Sequence, residues 1–168
     1  MRAHLIGLAM AATLLALPAA AQAPAPAPAP PPFITFESPS DIAALAAKAN
    51  AERKPGQNQI NEPVLRLAPL AVTLESRIGP TPVAVHETEA ELIYVVDGSA
   101  EFIVGGTMTG GSRRDPTNLV GTGIDGGVTH QLTKGVWLIV PQGTPHWFRT
   151  VNGSLVLITL HIPRSVTP

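Results

Sequence analysis

From residue 64 onward, the chain consists of short runs of β-forming residues separated by glycine, proline or polar pairs. The runs recur at the spacing typical of a β-sandwich or barrel, and nothing after residue 54 repeats at the helical period. The sequence therefore predicts an all-β domain of short antiparallel strands. The predicted strands span residues 65–67, 71–77, 83–86, 91–96, 100–104, 118–121, 128–132, 136–140, 146–151 and 154–162.

One helix is predicted ahead of these strands. Residues 38–41 combine capping side chains with an early proline, and Pro55-Gly56 ends the pattern. The segment between them, 42–54, carries only a thin apolar stripe. Such a narrow stripe predicts a helix that lies on the outside of the main body.

The first 23 residues have the composition of a secretory signal peptide. Arg2 supplies the positive charge, residues 5–21 the apolar core, and residues 21–23 an A-x-A cleavage site. The alternative is an uncleaved membrane anchor, but Pro18 and the small residues at the cleavage site favour removal. Residues 24–32 contain only alanine and proline, which predicts an extended linker. We therefore expect a periplasmic or secreted protein that has no membrane contact after cleavage.

The remaining chain suits one domain, with a helical N-terminal extension over 33–63 and a barrel over 64–168. Once Arg2 is removed, ten of the eleven lysines and arginines face twelve acidic residues, which gives a net charge of −2. This balance, with Arg113-Arg114 as the only adjacent arginine pair, predicts no nucleic-acid binding. The chain has no cysteine, so any bound metal must be held by histidine and carboxylate.

Two short motifs place histidines beside turn residues. In HETEAELIYVVDG, four residues separate His86 from Glu91, and six more separate Glu91 from the final glycine. In GVWLIVPQGTPHW, an apolar run that reads as a buried strand is followed by a tight turn, and His146 then opens another apolar run. A turn that delivers a histidine to the core side of a sheet indicates either packing or binding.

Together the two motifs resemble the signatures of the cupins, a superfamily of small antiparallel jelly-roll barrels with the ligand site inside. The spacing G-x5-P-x-G-x2-H over 135–146 matches the second signature, although Thr150 stands where that signature ends in asparagine. In the first signature, His86 takes the second histidine position, and Ala84, which cannot coordinate a metal, takes the first. The resemblance spans residues 79–150 and implies a cupin-like antiparallel jelly-roll barrel with one N-terminal helix.

The candidate metal ligands are His86, Glu91 and His146. Cupins usually hold a metal with three histidines and one glutamate, so the resemblance implies this reduced set. Side chains alternate along a strand, which places all three on inward faces if those faces line the barrel. Burying Glu91 without a partner costs several kcal/mol, so its carboxylate must be paired, metal-bound or protonated. The set suits a divalent transition metal, Fe, Mn, Zn or Ni, whereas the alternative is hydrogen-bonded core histidines.

Other side chains are candidates to replace the missing ligand. His130 lies on a predicted strand, and Glu87 and Glu89 flank the first motif, where their plainer role is solvation of an exposed turn. His161 is expected to be a packed histidine rather than a ligand, and the remaining cavity wall is expected to be apolar. The glycine-rich segment 105–127 is expected to be a long hairpin connection at one end of the barrel, with a lid over the pocket as the alternative.

Two functions fit these features. The first hypothesis is a metal-dependent enzyme that acts on a small organic molecule, of the dioxygenase or isomerase/lyase type. The second is a non-catalytic small-ligand binding cupin with a degenerate metal site, which Ala84 favours. We also expect a homodimer, in which residues 33–36 add a strand to a neighbour.

Overall fold

The computed structural model describes residues 36–164, so the predicted signal peptide and linker lie outside the described residues. Within that range, one helix precedes eleven strands, and every strand pairing is antiparallel. The elements are α1 (Pro39–Ala51), β1 (Gln59–Leu67), β2 (Leu70–Arg77), β3 (Val83–His86), β4 (Glu89–Val104), β5 (Thr107–Thr109), β6 (Ser112–Asp115), β7 (Asn118–Gly121), β8 (Gly123–Asp125), β9 (Val128–Thr133), β10 (Trp137–Val140) and β11 (His146–Pro163).

The long strand β11 organises the barrel, because it pairs with β2, β3 and β4. The main sheet runs β1-β2-β11-β3-β7-β6, and β4 additionally pairs with β9 and β10. The predicted all-β class with one N-terminal helix is confirmed. The predicted boundary between residues 63 and 64 falls inside β1, which starts at Gln59.

Strands β4 and β11 each join two predicted strands, because they bend together at bulges instead of ending in turns. Gly98 lies at one bend with a φ of +82°, and a Cβ there would lie 2.0 Å from the Ser154 carbonyl oxygen. A second bulge lies between Phe148 and Thr150, and Thr150 is exposed, so it does not share the inward face of His146.

Apolar side chains fill the closed part of the barrel. The cluster contains Ile93, Val95, Ala100, Phe102, Leu132, Val140, Phe148, Leu155 and Leu157. A second, smaller cluster forms between α1 and the outer face of the sheet, where Val64, Leu74 and Val156 meet Ile42 and Leu45. The helix therefore lies outside the barrel, as predicted.

Ser38 caps this helix through a capping box with Asp41, and Pro39 occupies the first turn, as the sequence indicates. No helix within residues 36–164 is long and apolar enough to cross a membrane.

The expectation that residues 137–140 form a buried strand is wrong for half of that strand. Trp137 is 64% exposed and Ile139 is 56% exposed. Within the described residues, β10 pairs only with β4, so it lies at a sheet edge and its alternate side chains face outward. Tyr94 packs against Trp137 on that outer face, with ring centroids 4.4 Å apart.

Candidate metal centre

A cavity of about 660 Å³, open to solvent on one side, leads into the barrel, and both motif segments reach it. Strands β1, β2, β3, β4, β6, β7 and β11 contribute to its wall. Its polar lining residues are Gln57, Gln59, Asn61, Glu75, Arg77, Thr81, His86, Glu89, Glu91, Arg114, Asp115, Asn118, His146 and His161. The expected apolar wall is therefore wrong for a large part of this cavity.

The three predicted ligands meet in this cavity. The Glu91 Oε2 atom lies 3.1 Å from His146 Nε2 and 3.6 Å from His86 Nε2. The two imidazole rings have centroids 5.2 Å apart. Glu91 and His146 are almost fully buried, whereas the His86 side chain is partly open to the cavity. The local sequence explains the meeting, since alternation along β4 turns Glu91 inward and β11 begins at His146.

Hydrogen bonds fix which ring nitrogen of each histidine carries a proton. His146 Nδ1 lies 3.1 Å from the Thr144 carbonyl oxygen, and His86 Nδ1 lies 2.6 Å from Asn118 Oδ1. Both oxygens can only accept, so both Nδ1 atoms donate. Asn118 is itself held by Asp115, whose carboxylate oxygens accept from Asn118 Nδ2 at 2.8 and 2.9 Å. In the neutral rings, the Nε2 atoms beside Glu91 therefore carry a lone pair and no proton.

Among the described residues, one oxygen of the Glu91 carboxylate lacks a hydrogen-bond donor. Its Oε2 atom is buried, and within residues 36–164 no donor reaches it with hydrogen-bond geometry. His146 Nε2 is close enough but lies in the wrong direction for such a bond. Two ring nitrogens thus lie within 3.6 Å of a buried oxygen that has no donor, and a cation beside these atoms would compensate that oxygen.

The titration of the site follows from the same contacts. Burial raises the pKa of Glu91, but the His146 and His86 rings, which supply hydrogen bonds and positive charge when they are protonated, outweigh burial, so that the pKa lies well below its usual range. Burial also lowers the pKa of His86, whereas Glu91 and Asn118 raise it and prevail. The ionised carboxylate therefore favours positive charge beside it, which either a proton on His86 or a metal ion provides.

His161 corrects the sequence-based expectation of a packed histidine. The register of β11 against β4 places it directly opposite Glu91. A ring nitrogen of His161 and ligand atoms of His86 and Glu91 all lie within 4.8 Å of one another. The His161 ring packs edge to face against the His86 ring, with the two ring centroids 4.5 Å apart. The buried Nδ1 atom of His161 makes no hydrogen bond among the described residues, although Glu89 Oε2 lies 3.3 Å away.

Ala84 lies at the same end of the cavity as the three predicted ligands. Ala84 lines the cavity and pairs with His146 in the sheet, so a histidine there would join the same site. His161 reaches Glu91 from the last strand instead. The alternation from Leu157 through Thr159 to His161 contained this signal, because it carries the inward face of β11 to the end of the barrel.

Of the three other candidate replacements for the missing ligand, two lie away from the cavity. His130 is exposed on β9 and does not line the cavity. Glu87 forms an exposed ion pair with Arg113 at 2.7 Å. Glu89, by contrast, lines the cavity beside His161. The fourth side chain next to the predicted set is therefore His161, with Glu89 behind it.

The segment 105–127 forms a hairpin connection, as expected, and it also lines the cavity. It is a hairpin excursion in which β5 pairs with β8 and β6 pairs with β7. Because β7 also pairs with β3, the segment brings Arg114, Asn118 and Val120 to the cavity. It is thus an ordered part of the wall that holds His86 through Asn118.

No protein-family model and no curated protein matches this chain. Several solved structures are similar to it in outline. A Schizosaccharomyces pombe Cnp3 cupin domain is 15% identical, covers 70% of this chain and 73% of its own, and has a TM-score of 0.49. The TT1209 protein of Thermus thermophilus is 19% identical, with 68% and 92% covered and a TM-score of 0.49. The polyketide cyclase RemF of Streptomyces resistomycificus is 17% identical, with 66% and 69% covered and a TM-score of 0.45.

These likenesses are too distant to bear on function, and the fold assignment stands on the chain itself. The antiparallel strands surround an open cavity, and the two motif segments meet in that cavity. His86 and Glu91 come from the first segment, and His146 comes from the second, as the resemblance implies. By its strand pairing and by the placement of both motifs, the chain has the cupin-like barrel fold.

Proposed function

We propose that this chain is a metal-dependent enzyme that transforms a small, oxygen-rich organic molecule inside its barrel. His86, Glu91, His146 and His161 would hold a divalent transition metal, Fe, Mn, Zn or Ni. The observation that carries the proposal is the convergence of two bare Nε2 atoms on the orphaned Glu91 oxygen, at 3.1 and 3.6 Å. Such a cluster of acceptors in a buried site is costly unless a cation compensates it.

A bound divalent ion supplies polarisation of a carbonyl or hydroxyl oxygen on the substrate. The chain adds a carboxylate next to that position, because Glu89 lines the cavity and its Oε2 lies 3.3 Å from His161 Nδ1. A partly exposed carboxylate beside an ion site is suited to accept a proton from a substrate carbon or hydroxyl. Glu89 therefore favours the isomerase/lyase type over the dioxygenase type.

Asp115 and Asn118 support this chemistry because they orient the His86 ring. They keep the proton of His86 on Nδ1, at 2.6 Å from Asn118 Oδ1, so that Nε2 stays available. Thr144 does the same for His146 through its carbonyl oxygen. These outer hydrogen bonds are the kind that orient histidine ligands and raise their basicity.

A second candidate function is binding of a small molecule without turnover. The observation that favours this function is Ala84, because alanine occupies a ligand position of the first motif and has no atom that can coordinate a metal. A related proposal concerns location: the leader-like residues 1–23 support export to the periplasm or beyond.

Proton exchange on carbon tests the enzymatic proposal. The protein, loaded in turn with Mn, Fe, Zn and Ni, is incubated in deuterated water with a panel of hydroxy aldehydes and hydroxy ketones. We expect deuterium to enter beside the carbonyl, Glu89→Gln to abolish the exchange without loss of metal, and Glu91→Gln to abolish both. The matched control is Glu87→Gln, which removes an exposed carboxylate outside the cavity.

Three outcomes distinguish the candidate functions. Deuterium exchange that persists in Glu89→Gln shows that Glu89 is not the base. Consumption of dioxygen without exchange shows the dioxygenase type. Stoichiometric ligand binding without either reaction shows a binding protein.

A further inference from the structure

A second polar cluster lines the same cavity, on β2. Glu75 and Arg77 form a buried ion pair, in which Arg77 Nε and Nη2 both donate to Glu75 Oε2 at 3.0 and 2.5 Å. Arg77 Nη1 donates to Thr81 Oγ1 at 2.7 Å, and the Phe148 ring lies 4.1 Å from the guanidinium carbon. The guanidinium is thereby fixed in one plane at the cavity wall.

Among residues 36–164, the ion pair leaves two N–H donors of Arg77 and one acceptor oxygen of Glu75 without a side-chain partner. A guanidinium has five N–H donors, and the bonds to Glu75 and Thr81 engage three of them. One N–H on Nη1 and one on Nη2 stay free. Both bonds from Arg77 go to Glu75 Oε2, and within residues 36–164 no side chain donates to Oε1. Because both residues line the cavity, a ligand meets donors and an acceptor side by side.

The charge of the cavity decides which ligand suits this arrangement. Its lining has four carboxylates and two guanidiniums, hence a charge of −2 with neutral histidines. One divalent ion would bring the total to zero. Arg77 is already neutralised by Glu75, so it offers hydrogen bonds and no net attraction for an anion. Gln59 and Asn61 add neutral amides to the same wall, and they are joined by a 2.7 Å hydrogen bond.

We infer that the Glu75–Arg77 pair is a subsite for a neutral polyhydroxylated ligand, such as a polyol or a sugar. A hydroxyl group both donates and accepts, so one hydroxyl can donate to Glu75 Oε1 while it accepts from Arg77. The pair selects against carboxylic acids, because Glu75 already neutralises Arg77 and the net negative lining of the cavity repels a further carboxylate. The inference rests on the proposed function, and it names the substrate class of that cavity.

The test compares two six-carbon probes that differ at one end, D-glucitol and D-gluconate. Their binding is measured by ligand-detected nuclear magnetic resonance, with the metal-free protein and with the zinc-loaded protein. We expect the metal-free protein to bind D-glucitol more tightly than D-gluconate. The double variant Glu75→Gln/Arg77→Met, which leaves no unpaired charge, is expected to weaken D-glucitol binding at least tenfold.

The matched control is Glu62→Gln/Lys48→Met. It removes an ion pair of 2.8 Å that joins α1 to β1 outside the cavity, and it should leave binding unchanged. Circular dichroism and thermal unfolding establish that both double variants are folded. An unfolded variant at Glu75 and Arg77 is replaced by Thr81→Val, which removes the hydroxyl that holds Nη1 and is expected to weaken binding as well.

Preference for D-gluconate in the metal-free protein overturns the inference, as does absence of D-glucitol binding or equal binding by the double variant. Failure of the proposed function is visible separately. In that case the wild-type protein fails to retain zinc, whereas the result with the metal-free protein stands by itself.

Discussion

Replacing Asn118 by leucine tests how the metal site is oriented. In the structure, Asn118 Oδ1 accepts the proton of His86 Nδ1 at 2.6 Å, and Asp115 holds the amide in place. The variant Asn118→Leu keeps the volume but removes the acceptor, so His86 is free to turn or to move its proton to Nε2. Asp115 keeps other partners, since the Thr117 backbone N–H donates to it at 3.0 Å.

The expected magnitude follows from this contact. Loss of an outer hydrogen bond to a histidine ligand typically weakens metal binding by about 10- to 100-fold. That range corresponds to about 1.4–2.7 kcal/mol, which agrees with the cost of about 1–3 kcal/mol for an unsatisfied buried donor. We therefore expect the zinc dissociation constant of Asn118→Leu to rise by about 10- to 100-fold.

The assay is competition for zinc against a chromophoric chelator, with thermal unfolding as the check on folding. The matched control is Asn152→Leu, which removes an exposed amide that donates to Ser99 Oγ at 3.1 Å. An unchanged dissociation constant in Asn118→Leu, or an equal rise in the control, would refute the argument that Asn118 orients His86.

Three further predictions concern the same site. His161→Ala should weaken zinc binding more than about 100-fold, beyond the range of an outer contact, whereas exposed His130→Ala should leave it unchanged; equal affinities would show that His161 is no ligand. Ala84→His should restore zinc binding to His161→Ala, because position 84 lines the cavity and pairs with His146; a competition assay that shows no recovery contradicts this. The pKa of His86 is raised above 6.5 in the folded protein. Protonation of His86 therefore stabilises the metal-free fold below about pH 6.5, and this stabilisation is lost as the pH rises through the raised pKa. Zinc must displace that proton, so its affinity should increase with pH across the same interval, and a flat profile from pH titration would exclude His86 as a ligand.

The sequence predicted the class of fold and three of the residues at the site, because both depend on local patterns. The cupin resemblance of two motif spacings implied His86, Glu91 and His146, and alternation along single strands predicted that they face inward. The length of β4 and β11 was not predictable in the same way, since bulges such as the one after Phe148 continue a strand where the turn signals suggest an end.

The residues that the sequence analysis missed depend on pairing between distant strands. His161 reaches the site because β11 pairs with β4 in a register that places it opposite Glu91, and no local pattern encodes that register. Glu75 and Arg77 alternate along β2 and so share a face, which was a visible sign of an inward ion pair. The exposure of Trp137 had no such sign, because a run of four apolar residues fits buried and edge strands equally well.

The most direct test of the central claim is metal analysis of the protein purified without chelators and without a polyhistidine tag. The variant His86→Ala/His146→Ala is analysed in parallel, since it removes both bare Nε2 atoms that face Glu91. We predict about one divalent transition metal per chain in the wild-type protein and none in the variant. A wild-type protein that holds no metal, even after loading with Fe, Mn, Zn or Ni, would contradict the metal centre proposed here.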